Sequence, residues 1–216
     1  MTMTDETTTT TTSAVEFTLP WQTLSDLASV SATAASDVTR LILTAIHLVS
    51  DGATITATAT DTYGLAIVTT TPPDDAPPAF DVLIPAQWMT AALKTTRAAR
   101  FPEWRVRLTL TPTKYGGSVT LSALTGDIST TGTLTFGTFP AVTQVVPTAA
   151  QYVHERAAFT AGFIARMAKI LPPDTGKRAG APQPWVCEMM SATRPSVWTT
   201  RVRDCDGLFL LMPVHV

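Results

Sequence analysis

Three copies of one pattern constrain the fold of this chain more than any other feature: a strand, an amphipathic helix and three more strands. Each copy opens with a short strand-like run: Glu16–Leu19, Asp81–Ile84 and His154–Thr160. Each run leads into apolar residues at helical spacing, and the predicted helices end near Ala34, Ala98 and Leu171. Pro20 and Pro85 fall where the first two helices begin, which suits proline, because the N–H that it lacks would have no partner there.

Three further strand-like runs follow each predicted helix. In the first copy they are Leu41–Val49, Ala53–Thr60 and Leu65–Thr70. In the second they are Arg105–Thr111, Ser118–Leu124 and Ile128–Phe136, and in the third Trp185–Ala192, Val197–Arg203 and Leu208–Val214. Pairs that contain glycine predict the turns: Asp51-Gly52, Gly116-Gly117, Gly126-Asp127 and Asp206-Gly207. The order βαβββ is therefore predicted three times.

The repeats divide the chain into four parts. Residues 1–14 are mostly threonine and predict a disordered tail. Residues 15–137 hold the first two copies, residues 138–150 form a linker that contains Phe139-Pro140 and Pro147, and residues 151–216 hold the third copy. Pro172–Gly180 predicts an exposed loop inside the third copy.

The composition is that of a globular chain, with 45% apolar and 15% charged residues. A net charge of −2 argues against a protein that coats DNA by bulk charge, but it leaves room for a basic surface on a mildly acidic body. No apolar run reaches the length of about 18 residues that a membrane span requires, and the first residues do not form a signal peptide.

The residues that could carry catalysis are scattered. His47, His154 and His215 lie far apart, and there is no Gly-rich phosphate loop or paired-cysteine motif. His154-Glu155-Arg156 has no nucleophile nearby, and Cys187 and Cys205 lack metal spacing, so they are interpreted as core thiols rather than as a disulfide. The sequence predicts no enzyme, no metal site and no cofactor.

Five segments, in the right order and on the right repeat elements, resemble bacterial β sliding clamps, the processivity rings of replicative DNA polymerase. The segments are Val15–Pro20, Ala59–Ala66, Val82–Pro85, Phe139–Pro147 and Leu211–Val214. The second is similar to the family's Ala-Thr-Asp-Gly-His-Arg-Leu-Ala signature, and the last resembles its closing Val-Met-Pro-Met. The resemblance runs from about Val15 to Val216 and implies an α+β DNA clamp fold: one complete clamp domain of two βαβββ repeats, a C-terminal half domain and assembly into a ring.

The chain departs from the family pattern in several places. Thr62, Tyr63 and Gly64 stand where the family usually has Gly, His and Arg, and His215 and Val216 replace a usual Arg-Leu ending. By this resemblance we expect the chain to lack the family's first domain and to hold a single repeat of its last. These departures affect which ligand the chain would bind more than they affect its fold.

The resemblance implies a basic inner surface that contacts duplex DNA without reading its sequence. The candidates recur at helical spacing on the second and third helices or lie in the predicted loop: Lys94, Arg97, Arg100, Arg166, Lys169, Lys177 and Arg178. Phosphate attraction of this kind permits sliding, because it carries no sequence information. The alternative is an ordinary solvated face opposite the apolar stripe of each helix.

The resemblance also implies a pocket for short peptides of partner proteins. Its candidate residues come from the first repeat, the linker and the C-terminus: Thr60, Tyr63, Gly64, Leu65, Pro140, Gln144, Val145, Leu210, Leu211, Met212, Pro213 and Val214. An apolar cleft with a few polar atoms at its rim suits such a peptide. For Met212 the alternative is plain core packing, and for Tyr63 it is a position at a strand edge.

The implied function is a cytoplasmic sliding clamp, at the nucleoid or replication site, that encircles duplex DNA and tethers the replicative polymerase. A clamp loader is a further implied partner, and no membrane is implied. The family's ring has twelve repeats, so three per chain favour a homotetramer; a trimer follows if the chain hides a fourth repeat. Small size and divergence suggest a phage-encoded protein. The alternative is a clamp-like module that binds such peptides without forming a ring and modulates replication.

Overall fold

The computed structural model describes residues 14–72, 77–97, 104–125, 127–146, 161–167, 169–170, 186–189, 195–202 and 205–212. Several predicted features lie outside the described residues: the tail up to Ser13, Gly126, the strand His154–Thr160 and the loop Pro172–Gly180.

The described elements follow the predicted order closely. The first repeat holds β1 (Val15–Pro20), α1 (Trp21–Ala28), β2 (Ala45–Ser50), β3 (Ile55–Thr60) and β4 (Gly64–Thr70). The second holds β5 (Phe80–Pro85), α2 (Ala86–Thr95), β6 (Arg105–Thr113), β7 (Gly116–Ala123) and β8 (Ser129–Thr133). The third holds α3 (Ala161–Met167), β9 (Val186–Met189), β10 (Ser196–Val202) and β11 (Cys205–Leu211). Short 3-10 segments span Ser29–Thr33, Val38–Thr44 and Val142–Val145.

The first two repeats exchange their first strands. Strand β1 pairs with β6 in a four-stranded sheet of order β1-β6-β7-β8, and β5 pairs with β2 in the other sheet. Every described strand pairing is antiparallel. Because each sheet includes a strand of the other repeat, the two repeats form one folding unit.

The third repeat extends the sheet of the first. Strand β11 pairs with β4 from Cys205 opposite Thr70 to Leu211 opposite Gly64, and the resulting seven-stranded sheet has the order β5-β2-β3-β4-β11-β10-β9. Through this pairing the end of the described chain lies beside the turn that precedes β4, although about 150 residues separate them in sequence.

The main core lies where the helices pack on the two sheets. It joins Leu24 and Leu27 of α1 and Met89 of α2 to strand residues of both sheets, and Met167 and Ile170 of the third repeat belong to the same cluster. The alternation of buried and exposed residues in β6 and β7 shows that one face of their sheet meets the helices and the other faces outward.

The Trp21 indole ties the two helices together, because its Nε1 donates to the Leu93 carbonyl at 3.2 Å. Pro20 and Pro85 stand directly before α1 and α2 as their N-cap residues, one position earlier than the predicted first helical position. The helices are shorter than predicted: α1 ends at Ala28 and gives way to a 3-10 segment, and α2 ends at Thr95.

The predicted strand Leu41–Val49 is wrong over its first four residues, which lie in the 3-10 segment Val38–Thr44. The segment is capped by Asp37, whose Oδ1 accepts the hydroxyl (2.7 Å) and the N–H (2.9 Å) of Thr39. These two bonds hold the pKa of the Asp37 carboxyl below its ordinary value. Leu41 is 57% exposed, whereas the strand prediction relied on its apolar side chain as a sign of burial.

Two predicted turns are also placed differently. Asp206 and Gly207 lie inside β11, opposite Arg201 and Thr200 of β10, and the Arg201 Nε lies 3.6 Å from Asp206 Oδ1 as a cross-strand ion pair. Strand β10 ends at Val202 and β11 begins at Cys205. Similarly, the glycine pair 116–117 begins β7 and does not form the turn before it.

Candidate nucleic-acid and peptide interfaces

A groove of about 250 Å³ runs along the seam between α1 and α2. The described residues that line it come from one face of each helix and from the segments beside them: Trp21, Ser25, Ala28, Ser29, Ser31, Thr90, Leu93, Lys94, Arg97 and Lys169. Spacings of three and four residues place each helical set on one side of its helix. The groove therefore joins the first, second and third repeats.

Three of the predicted DNA-contacting residues meet at this groove. Lys94 and Arg97 are exposed at the end of α2, and Lys169 is exposed just after α3, where its N–H donates to the Arg166 carbonyl at 3.0 Å. The Arg97 guanidinium carbon lies 5.7 Å from the centre of the Trp21 ring, a cation–π contact that holds the side chain over the groove. Of the four remaining predicted residues, Arg100, Lys177 and Arg178 lie outside the described residues.

Arg166 has a different environment from the other predicted basic residues. Its guanidinium forms an ion pair with the Asp61 carboxylate and lies 4.5 Å from the centre of the Phe163 ring. The Arg166 side chain is only 29% exposed and that of Asp61 only 13%. Arg166 therefore links α3 to the turn between β3 and β4, an interaction that its spacing from Lys169 did not indicate.

The turn between β3 and β4 is ordered by its own side chains. Asp61 Oδ1 accepts the N–H groups of Tyr63 (3.0 Å) and Gly64 (2.8 Å). The Thr60 hydroxyl donates to the Gly64 carbonyl at 2.7 Å, and Thr62 has a φ of 81°, the left-handed conformation that this tight turn requires. Thr60, predicted as a pocket residue, is thus buried as a support of the turn.

Gly64 occupies a crowded position at the start of β4. A Cβ atom there would lie 3.3 Å from Phe209 Cζ and 3.4 Å from the Thr33 methyl group. The close approach of the Phe209 ring explains why a residue without a side chain suits this position, where the resembling family usually has arginine.

The first repeat, the linker and the last described strand meet in a small apolar cluster. Leu65 of β4 and Leu210 of β11, each 4% exposed, form its buried part together with Val197. Val142 and Val146 of the linker pack against them. The three segments that the resemblance assigns to one pocket are therefore brought together, and the linker covers the most buried part of their junction.

The predicted pocket residues divide into a buried set and an exposed set. Tyr63, Val145 and Met212 are 60%, 55% and 42% exposed, and Pro140 and Gln144 are exposed as well. The Met212 N–H donates to the Tyr63 carbonyl at 3.4 Å, so these two residues are neighbours at the rim. The Tyr63 ring stacks on Phe163 of α3, with the ring centres 6.2 Å apart.

Leu211 differs from Leu210 because neighbouring residues of a strand point to opposite faces. Leu211 is fully buried in the main core, so it packs beneath the sheet rather than beside the linker. Pro213 and Val214 lie outside the described residues.

Phe139 anchors the linker to the seven-stranded sheet. Its ring stacks on His47 of β2 with 4.8 Å between ring centres, and its side chain packs with Ala45 and Leu83. His47 Nε2 lies 2.7 Å from Asp81 Oδ1 on β5, which fixes the imidazole beneath the phenylalanine. This anchor places the following residues, Val142 and beyond, over the junction of β4 and β11.

Sequence reasoning missed several residues of both sites. Trp21, Ser25 and Ser31 line the groove, but the predicted DNA-contacting residues were all basic, and none of these three is basic. Ser25 and Ala28 of α1, with Ser29 directly after the helix, are small residues at helical spacing, and that spacing was the available signal. In the linker, Val142 and Val146 were not among the pocket candidates, although they cover it.

Within the described residues no helix is long and apolar enough to cross a membrane. In the same part of the chain, no group of three or more His, Cys, Asp or Glu side chains is arranged to hold a metal ion.

Three features define a clamp-type α+β protein. The first two repeats exchange their first strands, the repeats join edge to edge, and the helices pack on one side of both sheets. The family model described as "DNA polymerase III beta subunit, central domain" matches residues 9–141. That match covers more than half of the chain, and the chain belongs to this family. The predicted family and the predicted α+β clamp fold are confirmed.

Two solved structures show the same fold. The DNA polymerase sliding clamp of Bacillus subtilis aligns with a TM-score of 0.69 at 15% sequence identity, covering 94% of this chain and 64% of the clamp chain. The beta subunit of the DNA polymerase of Streptococcus pyogenes aligns with a TM-score of 0.64 at 16% identity, covering 93% of this chain and 66% of that one. This chain thus spans just under two thirds of each. No curated protein matches its sequence significantly.

Proposed function

We propose that this protein is a DNA sliding clamp that encircles duplex DNA as a homo-oligomeric ring and tethers a DNA polymerase. The observation that carries the proposal is the meeting of Lys94, Arg97 and Lys169, from two different repeats, at one groove on the helical side of a clamp fold. Basic side chains gathered there attract phosphate without reading bases. No further cofactor or chemical step is needed for such a role.

A clamp raises processivity by tethering rather than by tight DNA contact. The ring keeps the polymerase at a high effective concentration beside its template, as any linker does. A handful of exposed cations is suited to this task, because screened contacts to phosphates exchange rapidly along the duplex. The net charge of −2 leaves the rest of the surface without general attraction to DNA.

The exposed rim of the linker junction is the proposed peptide site. Tyr63, Val145 and Met212 present apolar surface, and Pro140 and Gln144 of the linker are exposed as well. A short polymerase segment with an apolar anchor fits this combination, and the flexible Met212 side chain suits several partners. Pro213 and Val214 are proposed as part of the same site, and a clamp loader as a second user of it.

Ring formation is proposed from the free edges of the two sheets. Among the described strands, the edges are β1 and β8 in one sheet and β5 and β9 in the other, and β8 and β9 are the proposed contacts. Open edges favour association with another chain, and three repeats in each chain lead to a tetramer as the favoured assembly, with a trimer if a fourth repeat exists. The protein would act in the cytoplasm where DNA is replicated, and a phage origin fits its small size.

A clamp-like module that binds peptides without forming a ring is the second candidate. The junction of the first repeat, the linker and the last described strand lies within a single chain, so peptide binding there requires no ring. Light scattering of the purified protein separates the two. A mass of four chains of 23.0 kDa, or of three, supports a ring, whereas a stable single chain at every concentration supports the module.

Retention on DNA tests the clamp function directly. A clamp assembled on a nicked plasmid should stay bound in gel filtration and leave when a restriction enzyme linearises the plasmid. Equal loss from both forms would contradict encirclement. Removal of Met212–Val216 should abolish binding of a polymerase-tail peptide but leave plasmid retention intact, and unchanged peptide binding would remove the pocket assignment.

A further inference from the structure

The groove between α1 and α2 presents hydroxyl groups as well as positive charge. Ser25, Ser29 and Ser31 line it from the first repeat, opposite Lys94 and Arg97. We propose that Ser25 and Ser31 donate hydrogen bonds directly to a phosphate of the DNA backbone, which makes the seam a phosphate-docking groove. This inference rests on the proposed clamp function and adds a neutral, short-range contact to its charged surface.

The hydroxyl groups of the groove differ in whether they already donate a hydrogen bond within the protein. The Ser29 hydroxyl donates to the Asp26 carbonyl at 2.6 Å, and the Thr90 hydroxyl donates to the Ala86 carbonyl at 2.9 Å. Ser25 and Ser31 are half-buried, and their hydroxyls have no partner within the part of the chain that the structure describes. Each hydroxyl is therefore available to donate a hydrogen bond to an oxygen atom of a ligand.

The positive charge around these hydroxyl groups favours an anionic ligand. Lys94, Arg97 and Lys169 line the same groove, and no acidic side chain is among its described lining residues. A group that accepts hydrogen bonds and carries negative charge fits this setting, and phosphate oxygens of nucleic acids commonly take bonds from Ser, Lys and Arg together. Trp21 acts as a positioning residue, because its ring lies under the Arg97 guanidinium.

The two kinds of contact have different dependences on salt. Each cation that neutralises a phosphate releases counterions and contributes about 0.9 to the slope of log affinity against log salt concentration. A neutral hydroxyl releases none, so its loss weakens binding equally at every salt concentration. The slope therefore separates the serines from the lysine and arginine residues.

The experiment measures binding of the full chain to a fluorescent DNA duplex by anisotropy over a series of NaCl concentrations. Ser25→Ala and Ser31→Ala should each weaken binding about fivefold with an unchanged slope. Lys94→Gln and Arg97→Gln should weaken binding and lower the slope by about 0.9 each. Ser122→Ala and Arg107→Gln are the matched controls on the outward face of β6 and β7, and they should match the wild type.

Each outcome bears on a different proposal. One outcome would overturn the phosphate-docking groove but not the clamp function. In that outcome the Ser25→Ala/Ser31→Ala double variant binds DNA with wild-type affinity, whereas Lys94→Gln and Arg97→Gln bind it more weakly. If the lysine and arginine variants also bind as the wild type does, the basic surface of the clamp proposal is itself wrong. Thermal unfolding of every variant establishes that it is folded at the temperature of the titration.

Discussion

At the scale of single residues, Gly132 of β8 lies directly beneath the Trp88 indole of α2. A Cβ atom at position 132 would lie 2.6 Å from Trp88 Cδ1, well inside contact distance. Gly132→Ala should therefore lower the free energy of unfolding by about 1–3 kcal/mol, because the rigid ring and the strand must separate. Urea denaturation followed by tryptophan fluorescence measures the change.

Gly162 provides the control for this substitution. It lies in α3, where an added Cβ would meet nothing within 4 Å. Gly162→Ala should leave stability unchanged or raise it by up to about 1 kcal/mol, as alanine favours a helix. Equal effects of the two substitutions would show that the contact with Trp88 does not limit position 132.

Asp51 makes the hairpin between β2 and β3 sensitive to acid. Its carboxylate accepts the N–H groups of Thr54 (2.7 Å) and Ala53 (2.8 Å), which hold the pKa of the Asp51 carboxyl below its ordinary value. A lowered folded-state pKa stabilises the protein above the unfolded value of about 3.9, and this contribution is lost as the pH falls through the folded value.

Replacement of Asp51 by asparagine keeps an acceptor oxygen but removes this titration. The melting temperature of Asp51→Asn should therefore fall less than that of the wild type between pH 7 and pH 3. Asp127→Asn is the control, since the Asp127 carboxylate is exposed and accepts no hydrogen bond from the described residues. An identical acid response of Asp51→Asn and wild type would contradict the prediction.

At the scale of elements, the contact between Arg166 and Asp61 links α3 to the turn before β4. Both side chains are largely shielded, and the arginine also lies over Phe163. A double-mutant cycle with Arg166→Met and Asp61→Asn should give a coupling energy of about 1 kcal/mol or more, because charge-assisted bonds strengthen away from water. Asparagine preserves the acceptor that the turn needs.

The exposed pair of Arg107 and Glu16 is the comparison for this cycle. Its side chains are 48% and 53% exposed, with 3.3 Å between Nε and Oε1. Its coupling energy should stay below about 0.5 kcal/mol and fall with salt. A coupling between Arg166 and Asp61 that is no larger than this would mean that the contact does not help to dock the third repeat.

The elements differ in how far the sequence predicts them. Strands such as β6 alternate buried and exposed residues, and helices begin after Pro20 and Pro85, so local pattern was sufficient there. The 3-10 segment Val38–Thr44 was not predicted, because its exposed Leu41 imitates the apolar content of a strand. Spacing alone also could not reveal that Arg166 pairs with a carboxylate 105 positions away.

At the scale of the whole molecule, the candidate sites depend on contacts between repeats. Lys94 and Lys169 meet at one groove only because α3 joins the common core, and Leu65 meets Leu210 only because β11 pairs with β4. The sequence indicated which residues belong to these sites through the resemblance to clamps. It could not predict that Ser25 and Ser31 line the same groove as Lys94 and Lys169, because the lining residues come from separate parts of the chain.

Assembly into the proposed ring would also couple the stability of the chain to association. If ring closure covers the free edges of β8 and β9, dissociation and unfolding are linked, and the melting temperature depends on chain concentration. For a tetramer, each tenfold increase in concentration adds about 1 kcal/mol per chain, which corresponds to about 2–4 °C for a chain of this size. Scanning calorimetry over two decades of concentration, with light scattering on the same samples, measures both quantities. A melting temperature that does not move, in samples that scatter as single chains, would exclude the ring and leave the peptide-binding module.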